Sequence, residues 1–306
     1  MANPVVLLVA GARPNFMKLA ALRTALLDHG GLEVRMLLTG QHRGEEMCDR
    51  ILADLELPAP DRVLDAGASP PAFLPARLFE ALRTEFERRT PALVVVVGDV
   101  TSTAAAALAA RVCGIPLAHV EAGLRAFDRT MPEEVNRILA DHASDLLFTT
   151  EEAAGRNLEH EGIDQRRIFF TGNVMVDTLQ RFLPKTDRAT PRRHALRPGA
   201  YALLTAHRAG NVDRGPALNE ILKAAAMIAR RMPVLFPVHP RTRARLGSRQ
   251  LALPAGVRIS PPLGYLDFVD LLKNAALVMT DSGGVQQESA VLGIPCVTLR
   301  DRTEVP

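Results

Sequence analysis

Polar, glycine-punctuated segments recur in this chain soon after short apolar runs, and they hold the residues that could do chemistry. GARPNFMK (11–18) follows the first run, GDVTST (98–103) follows LVVVV, and EAGLR (121–125) follows LAHV. Further along come His207-Arg208, His239-Pro-Arg241 and Asp281-Ser-Gly-Gly284, each behind its own apolar run. Asp99 and Glu121 stand close behind the most apolar stretches, and Glu133 lies in Pro132-Glu-Glu. Carboxylates in such places are either helix caps or acid/base groups, and acids in a helix first turn are favoured by the dipole anyway. Ser282-Gly283-Gly284 suits an oxyanion, because glycines let backbone N–H groups approach and a helix start carries partial positive charge. The same residues fit a tight turn with Ser282 as N-cap. Arg13 and Lys18 could converge on a phosphate or pair at the surface, and Glu288 sits one turn into its helix. His119, inside an apolar run, reads as a satisfied core histidine. No Cys/His set has zinc spacing, so no metal is expected. No Gly-x-Gly-x-x-Gly follows the first run and there is no Walker loop, so no nicotinamide or other cofactor is expected.

Those segments need a scaffold that brings strand ends together. Val5–Ala10, Val34–Thr39, Leu93–Val97, Leu117–Val120, Leu146–Thr149 and Ile168–Thr171 read as strands. LVVVV is apolar at every position, as a parallel strand buried on both faces is. Lys18–Leu27, Thr101–Cys113, Pro132–Ala143 and Ala153–Glu161 read as helices between them. The alternation restarts after Pro184–Gly199, a basic stretch with prolines at 184, 191 and 198. Strands are then expected at 201–205, 234–238, 257–260, 277–280 and 296–299, and helices at 215–231, 265–274 and 285–292. This is an α/β chain of two Rossmann-like, doubly wound parallel-sheet domains facing a cleft. The expected division is 1–183, a linker at 184–199, and 200–306. Ligands of such sheets bind at the carboxyl ends of the strands.

Composition removes other classes. The chain has 306 residues, 47% of them hydrophobic and 23% charged, with three cysteines (48, 113 and 296). That excludes a disordered chain and a disulfide-stapled module. Cys113 and Cys296 lie among apolar residues and read as inert core. No apolar run reaches the roughly 18–20 residues of a membrane helix, and the apolar start lacks a basic leader, so a cytoplasmic protein with no membrane partner is expected. The net charge of +3 is spread, and tryptophan is absent with only two tyrosines, so nucleic acid is not an expected partner.

In order along the chain, GARPNFMK (11–18), TGQHR (39–43), GDVTST (98–103), HVEAGLRAFDRTMPEEVNR (119–137), TGNVMVDTL (171–179), AHRAGNVD (206–213), FPVHPRTR (236–243), PLGYLDFVDLL (262–272) and TDSGGVQQESAVLGIPCVTLRDRTEVP (280–306) resemble the non-hydrolysing UDP-N-acetylglucosamine 2-epimerases. The resemblance implies a glycosyltransferase-B-like pair of Rossmann domains that converts UDP-GlcNAc to UDP-ManNAc in the cytoplasm for cell-surface polysaccharide. It implies a homodimer, with UDP-GlcNAc and UDP as partners. It places the acid/base set on Asp99, Glu121 and Glu133 with His207 beside them. It places UDP on Arg13, Lys18, His207, Ser282, Gly283, Gly284 and Glu288, with Phe268 near the uracil. The family continues with further helices after the point where this chain stops at Pro306, so the second domain is expected to be shortened. Val305 stands where the family has arginine, with Arg302 three residues earlier.

Chemistry constrains the route. The C2 proton is not next to a ring carbonyl, so simple abstraction leaves an unstabilised carbanion. Without a nicotinamide motif, elimination is the expected escape: a base takes the C2 proton as UDP leaves C1, and UDP adds back to the 2-acetamidoglucal after reprotonation on the other face. Two differently tuned carboxyl groups would serve the two faces. The sequence leaves open which is base and which is acid. Competing expectations are a UDP-sugar glycosyltransferase of the same architecture and a catalytically weakened nucleotide-sugar-binding protein.

Overall fold

A computed structural model describes residues 3–11, 13–40, 45–64, 73–213, 215–248 and 253–300. The chain divides into two compact units, Met1–Thr178 and Leu179–Pro306. The first alternates β1 (Val5–Ala10), α1 (Arg13–His29), β2 (Glu33–Leu38), α2 (Glu45–Asp54), β3 (Arg62–Val63), α3 (Leu74–Arg88), β4 (Leu93–Val97) and α4 (Thr101–Val112). It continues through β5 (Leu117–Ala122), α5 (Pro132–Ala143), β6 (Leu146–Thr149), α6 (Glu152–His160) and β7 (Ile168–Phe170), and α7 (Val174–Phe182) runs across the division.

The sheet order is β3-β2-β1-β4-β5-β6-β7, and every pairing is parallel. Order reverses between β1 and β4, so a crevice opens at the carboxyl ends of those two strands. β4 shows why the sheet is stable. Val94 and Val96 pack with Leu7, Val9, Leu78, Leu82 and Phe86 on one face, and all four valines of the strand are buried. Each such side chain contributes about 1.5–3 kcal/mol when taken fully out of water.

The second unit contains α8 (Thr190–Arg193), β8 (Ala202–Thr205), α9 (Ala209–Val212), α10 (Gly215–Ala229), β9 (Val234–Pro237), α11 (Pro240–Ser248), β10 (Val257–Ser260), α12 (Tyr265–Lys273), β11 (Leu277–Thr280), α13 (Gly283–Val291) and β12 (Cys296–Thr298). Its sheet is parallel in the order β10-β9-β8-β11-β12, with the reversal between β8 and β11. Strand residues alternate between two cores. Leu204 and Phe236 meet α10 on one side, while Leu203, Leu235 and Val278 meet Leu271 and Leu272 of α12 on the other.

Residues 184–199, read as a linker, belong to the second unit and are tied to α12. Asp270 accepts from the Thr190 N–H at 2.8 Å, and Asp267 accepts from Arg193 at 2.6 Å. Cys296, read as core, is exposed, because β12 is the sheet's last strand and all three of its residues are open to solvent. Among the described residues no helix is long and apolar enough to cross a membrane.

Candidate active site

Each crevice gathers polar groups from chain segments far apart in sequence. At the first, β4 ends in Gly98, whose φ of 68° is a left-handed conformation that favours glycine. A Cβ there would sit 2.7 Å from Lys18 Nζ and 3.3 Å from Glu121 Oε2. At Gly98, side chains of α1 and β5 thus close in on the turn after β4. Asn15 of α1 donates to the Val97 carbonyl at 3.1 Å, and so locks the helix entry to the strand end.

Glu121 was expected just past β5 but lies inside it, at a register shift between Val120 and Ala122. The shift is a bulge, a device that re-aims a side chain. Glu121 takes a φ of 71°, uncommon for a residue with a side chain. Its carboxylate is about nine-tenths buried and forms an ion pair with the Lys18 ammonium. Asp99 is anchored from α5: Arg137 donates to its Oδ2 at 2.8 Å, and Asn136 donates to its backbone carbonyl at 2.9 Å.

The two neighbouring glutamates of α5 divide their duties. Glu134 is buried and accepts from the N–H groups of Ala126 and Phe127, both at 2.9 Å, and from Arg137 at 2.6 Å. It is a scaffold residue. Glu133 is half-buried and makes no hydrogen bond or ion pair among the described residues, which leaves its carboxyl free for chemistry. Arg13 opens α1, and its side chain lies outside the described part.

The second crevice is organised by Asp281, a residue the sequence placed only as part of a loop. It follows β11, is fully buried, and pairs with His207 Nδ1 at 2.9 Å. It also accepts from the N–H groups of His207 and Arg208 and from the Asn211 amide. Burial alone would push its carboxyl up; the hydrogen bond and charge of His207, with the N–H donors, outweigh that and hold it at about 2. His207 thus has a ring held at Nδ1 by Asp281, on a side chain that is 41% exposed.

α13 begins at Gly283, two residues before the expected start, with Ser282 as N-cap accepting from Val285 N–H at 3.5 Å. Gly283 and Gly284 are the first two helical residues, where N–H groups have no partner within the helix. Glu288 is 4% exposed, its Oε1 has no hydrogen-bond partner among the described residues, and burial pushes its carboxyl up to about 7. The Tyr265 hydroxyl is buried beside the Glu288 carboxyl, and its hydrogen bond lowers Glu288 by less than burial raises it. Phe268, on α12, packs partly against the Leu203–Leu271 core and is only half-buried. Arg302 and Val305 lie outside the described residues.

The family profile described as UDP-N-acetylglucosamine 2-epimerase matches residues 24–306. The chain belongs to that family. A UDP-N-acetylglucosamine 2-epimerase homolog of Methanococcus maripaludis is 40% identical to this family member, over 98% of this chain and 84% of its own. A UDP-2,3-diacetamido-2,3-dideoxy-D-glucuronate 2-epimerase of Pseudomonas aeruginosa is 38% identical, again over 98% of this chain and 84% of its own. The crystal structure of Methanocaldococcus jannaschii UDP-GlcNAc 2-epimerase in complex with UDP-GlcNAc and UDP matches with a TM-score of 0.92 and 37% identity, over 99% of this chain and 85% of that one.

Within this epimerase chain, then, Asp99, Glu121 and Lys18 come together around Gly98, with α5 and its Glu133 tied to the Asp99 turn. His207 stands with Asp281 at the other crevice, where α13 carries Ser282, Gly283, Gly284 and Glu288. Among the described residues no cluster of His, Cys, Asp and Glu could hold a metal ion. Sequence reasoning gave no separate role to Asp281 or Arg137. Asp281 could have been found by the rule that singled out Asp99 and Glu121, since it too is an acid directly behind an apolar strand.

Proposed function

We propose that this chain interconverts UDP-N-acetylglucosamine and UDP-N-acetylmannosamine without hydrolysing them, by eliminating UDP to a 2-acetamidoglucal and adding it back. The observation that carries the reading is Glu121, a carboxylate nearly out of water, on a bulge, beside a lysine. A structural acid rarely needs that conformation, whereas strained backbone collects at working sites. Glu121, Asp99 and Glu133 transfer protons at the two faces of C2. Lys18 balances the charge of Glu121 and so serves the acid rather than the diphosphate alone.

In the second unit the start of α13 receives the diphosphate, through free N–H groups and the positive end of the helix. Glu288 accepts from the ribose hydroxyls, which gives its unpartnered oxygen donors. Phe268 lies beside the uracil. His207, oriented by Asp281, acts at the leaving phosphate. Tight retention of UDP is what lets the cleaved bond re-form instead of releasing free sugar.

The test is proton NMR of UDP-GlcNAc with the protein in deuterated water. UDP-ManNAc carrying deuterium at C2 is expected. Product with the original proton retained would end the elimination route, and free ManNAc with UDP would make the chain a hydrolysing enzyme. The Pseudomonas relative is named for a 2,3-diacetamido-glucuronate, and its C2 chemistry is the same. Running both sugar nucleotides in one tube ranks them; faster exchange into the glucuronate would move the substrate assignment to it.

A further inference from the structure

One buried group near the acids has no part in the steps above. His119, in β5, is fully buried. Its Nδ1 lies 2.7 Å from Asp141 Oδ1 and its Nε2 lies 2.8 Å from the Gly98 carbonyl. A neutral imidazole has one N–H and one lone pair, so it can donate to only one of two acceptors. The Gly98 carbonyl can only accept. Asp141 is also an acceptor: its Oδ2 receives the Arg125 guanidinium at 2.7 Å and the Gly123 N–H at 3.2 Å. Burial alone would push the Asp141 carboxyl up, but the charge and hydrogen bond of His119 and the Arg125 guanidinium bring it below its ordinary value. Two acceptors on opposite ring nitrogens call for an N–H donor at each. The remaining neighbours balance the charges. Arg125 forms two 2.7 Å bonds with Glu161, which His142 approaches at 3.1 Å near the surface. His119 and Arg125 thus both meet the Asp141 carboxylate, and Arg125 also meets Glu161.

We propose that His119 is a buried imidazolium and a positioning residue for epimerisation, fixing the Gly98–Asp99 peptide against the Lys18–Glu121 pair. The inference rests on the functional reading given above. Its physical content is specific. The carbonyl that His119 holds belongs to Gly98, the residue whose Cα faces both Lys18 Nζ and Glu121 Oε2. The next residue is Asp99. Glu121 follows His119 by two positions on the same strand. Losing one imidazole proton would strip a donor from Gly98 or from Asp141, and a freed Gly98 peptide would let Asp99 drift relative to Glu121.

Two measurements decide it. In wild-type protein labelled with ¹⁵N-histidine, long-range ¹H–¹⁵N correlation should show both His119 nitrogens in the protonated range. The resonance is assigned by through-bond correlation to the His119 backbone. A single lone-pair-type nitrogen in the folded protein overturns the proposal, and this spectrum needs no folded variant and no activity. In His119→Gln, which keeps one donor, kcat should fall by about a hundredfold, the scale of a small misplacement of reacting groups. The KM for UDP-GlcNAc and the Kd for UDP should stay within about twofold in that variant. Unchanged kcat, or a loss confined to UDP affinity, overturns the positioning role. If wild-type protein exchanges no C2 proton, the functional reading fails by itself, and the spectrum still decides the charge on His119.

Discussion

The two crevices are built from the same fold but treat their charges in opposite ways. At the first, Asp99 meets Arg137, Glu121 meets Lys18, and Asp141 meets both Arg125 and His119. Of the acids there, Glu133 alone stands unpaired among the described residues. At the second, Asp281 and His207 form one pair, but Glu288 lies beside the Tyr265 hydroxyl, and its Oε1 is buried without a partner within strict hydrogen-bond geometry among the described residues. An unmet buried polar group costs about 1–3 kcal/mol. The first crevice holds its charges in pairs within the protein; the second leaves a buried acceptor unmet among the described residues. On the proposed function, the difference separates the acid/base region from the one that captures UDP.

That contrast can be broken at several points. The largest effect is expected for Glu121→Gln, where turnover should fall by about a hundred- to ten-thousand-fold. UDP affinity should stay near normal, as calorimetry would show; lost UDP binding would mean that capture also depends on the first crevice. Next comes Asp281→Asn. It removes the carboxylate that His207 and three N–H donors converge on, and denaturant unfolding should register a loss of about 3 kcal/mol.

A third effect comes from pH. Glu288 is held at about 7 against an ordinary 4.5, so the folded apo protein keeps a proton that the unfolded chain has already released. This contribution to stability is full below the ordinary value and is lost as pH rises through about 7, with a limit of about 3 kcal/mol. Glu288→Gln should flatten that slope in unfolding curves, and UDP should bind wild-type protein more tightly as pH rises through the same range. Asp281 has the opposite sign: held at about 2 against an ordinary 3.8, its contribution is present above the ordinary value and is lost as pH falls through about 2. The smallest effect is a surface control. Arg156→Ala, which breaks an exposed pair with Glu152 on α6, should change stability by only about 0.3–0.5 kcal/mol.

Strands were the legible part of this fold, because parallel strands buried on both faces must be apolar throughout. β4, β6, β10 and β11 have the expected limits or nearly so, and α5 runs over the expected Pro132–Ala143. α3 escapes a reading keyed to apolar runs, since its buried Leu78, Leu82 and Phe86 are spaced four apart among arginines and glutamates. β5 runs two residues past the expected end because a bulge admits Glu121. Candidate site residues could be picked out by position at strand ends, and by resemblance. Their partners could not. Arg137 reaches Asp99 across 38 residues and His207 meets Asp281 across 74, and pairing at such distances depends on sheet order. Choosing Glu134 as scaffold and Glu133 as the free acid likewise needed the direction each takes from α5.

The bulge in β5 also bears on how this protein could change. A side-chain-bearing residue in left-handed backbone costs roughly 1–2 kcal/mol, and every folded molecule carries that burden at Glu121. Glycine or asparagine would relax the turn, so selection for robustness alone would drift toward them. Keeping a glutamate at 121 works against that drift, and on the proposed function its proton transfers are what hold the residue in place.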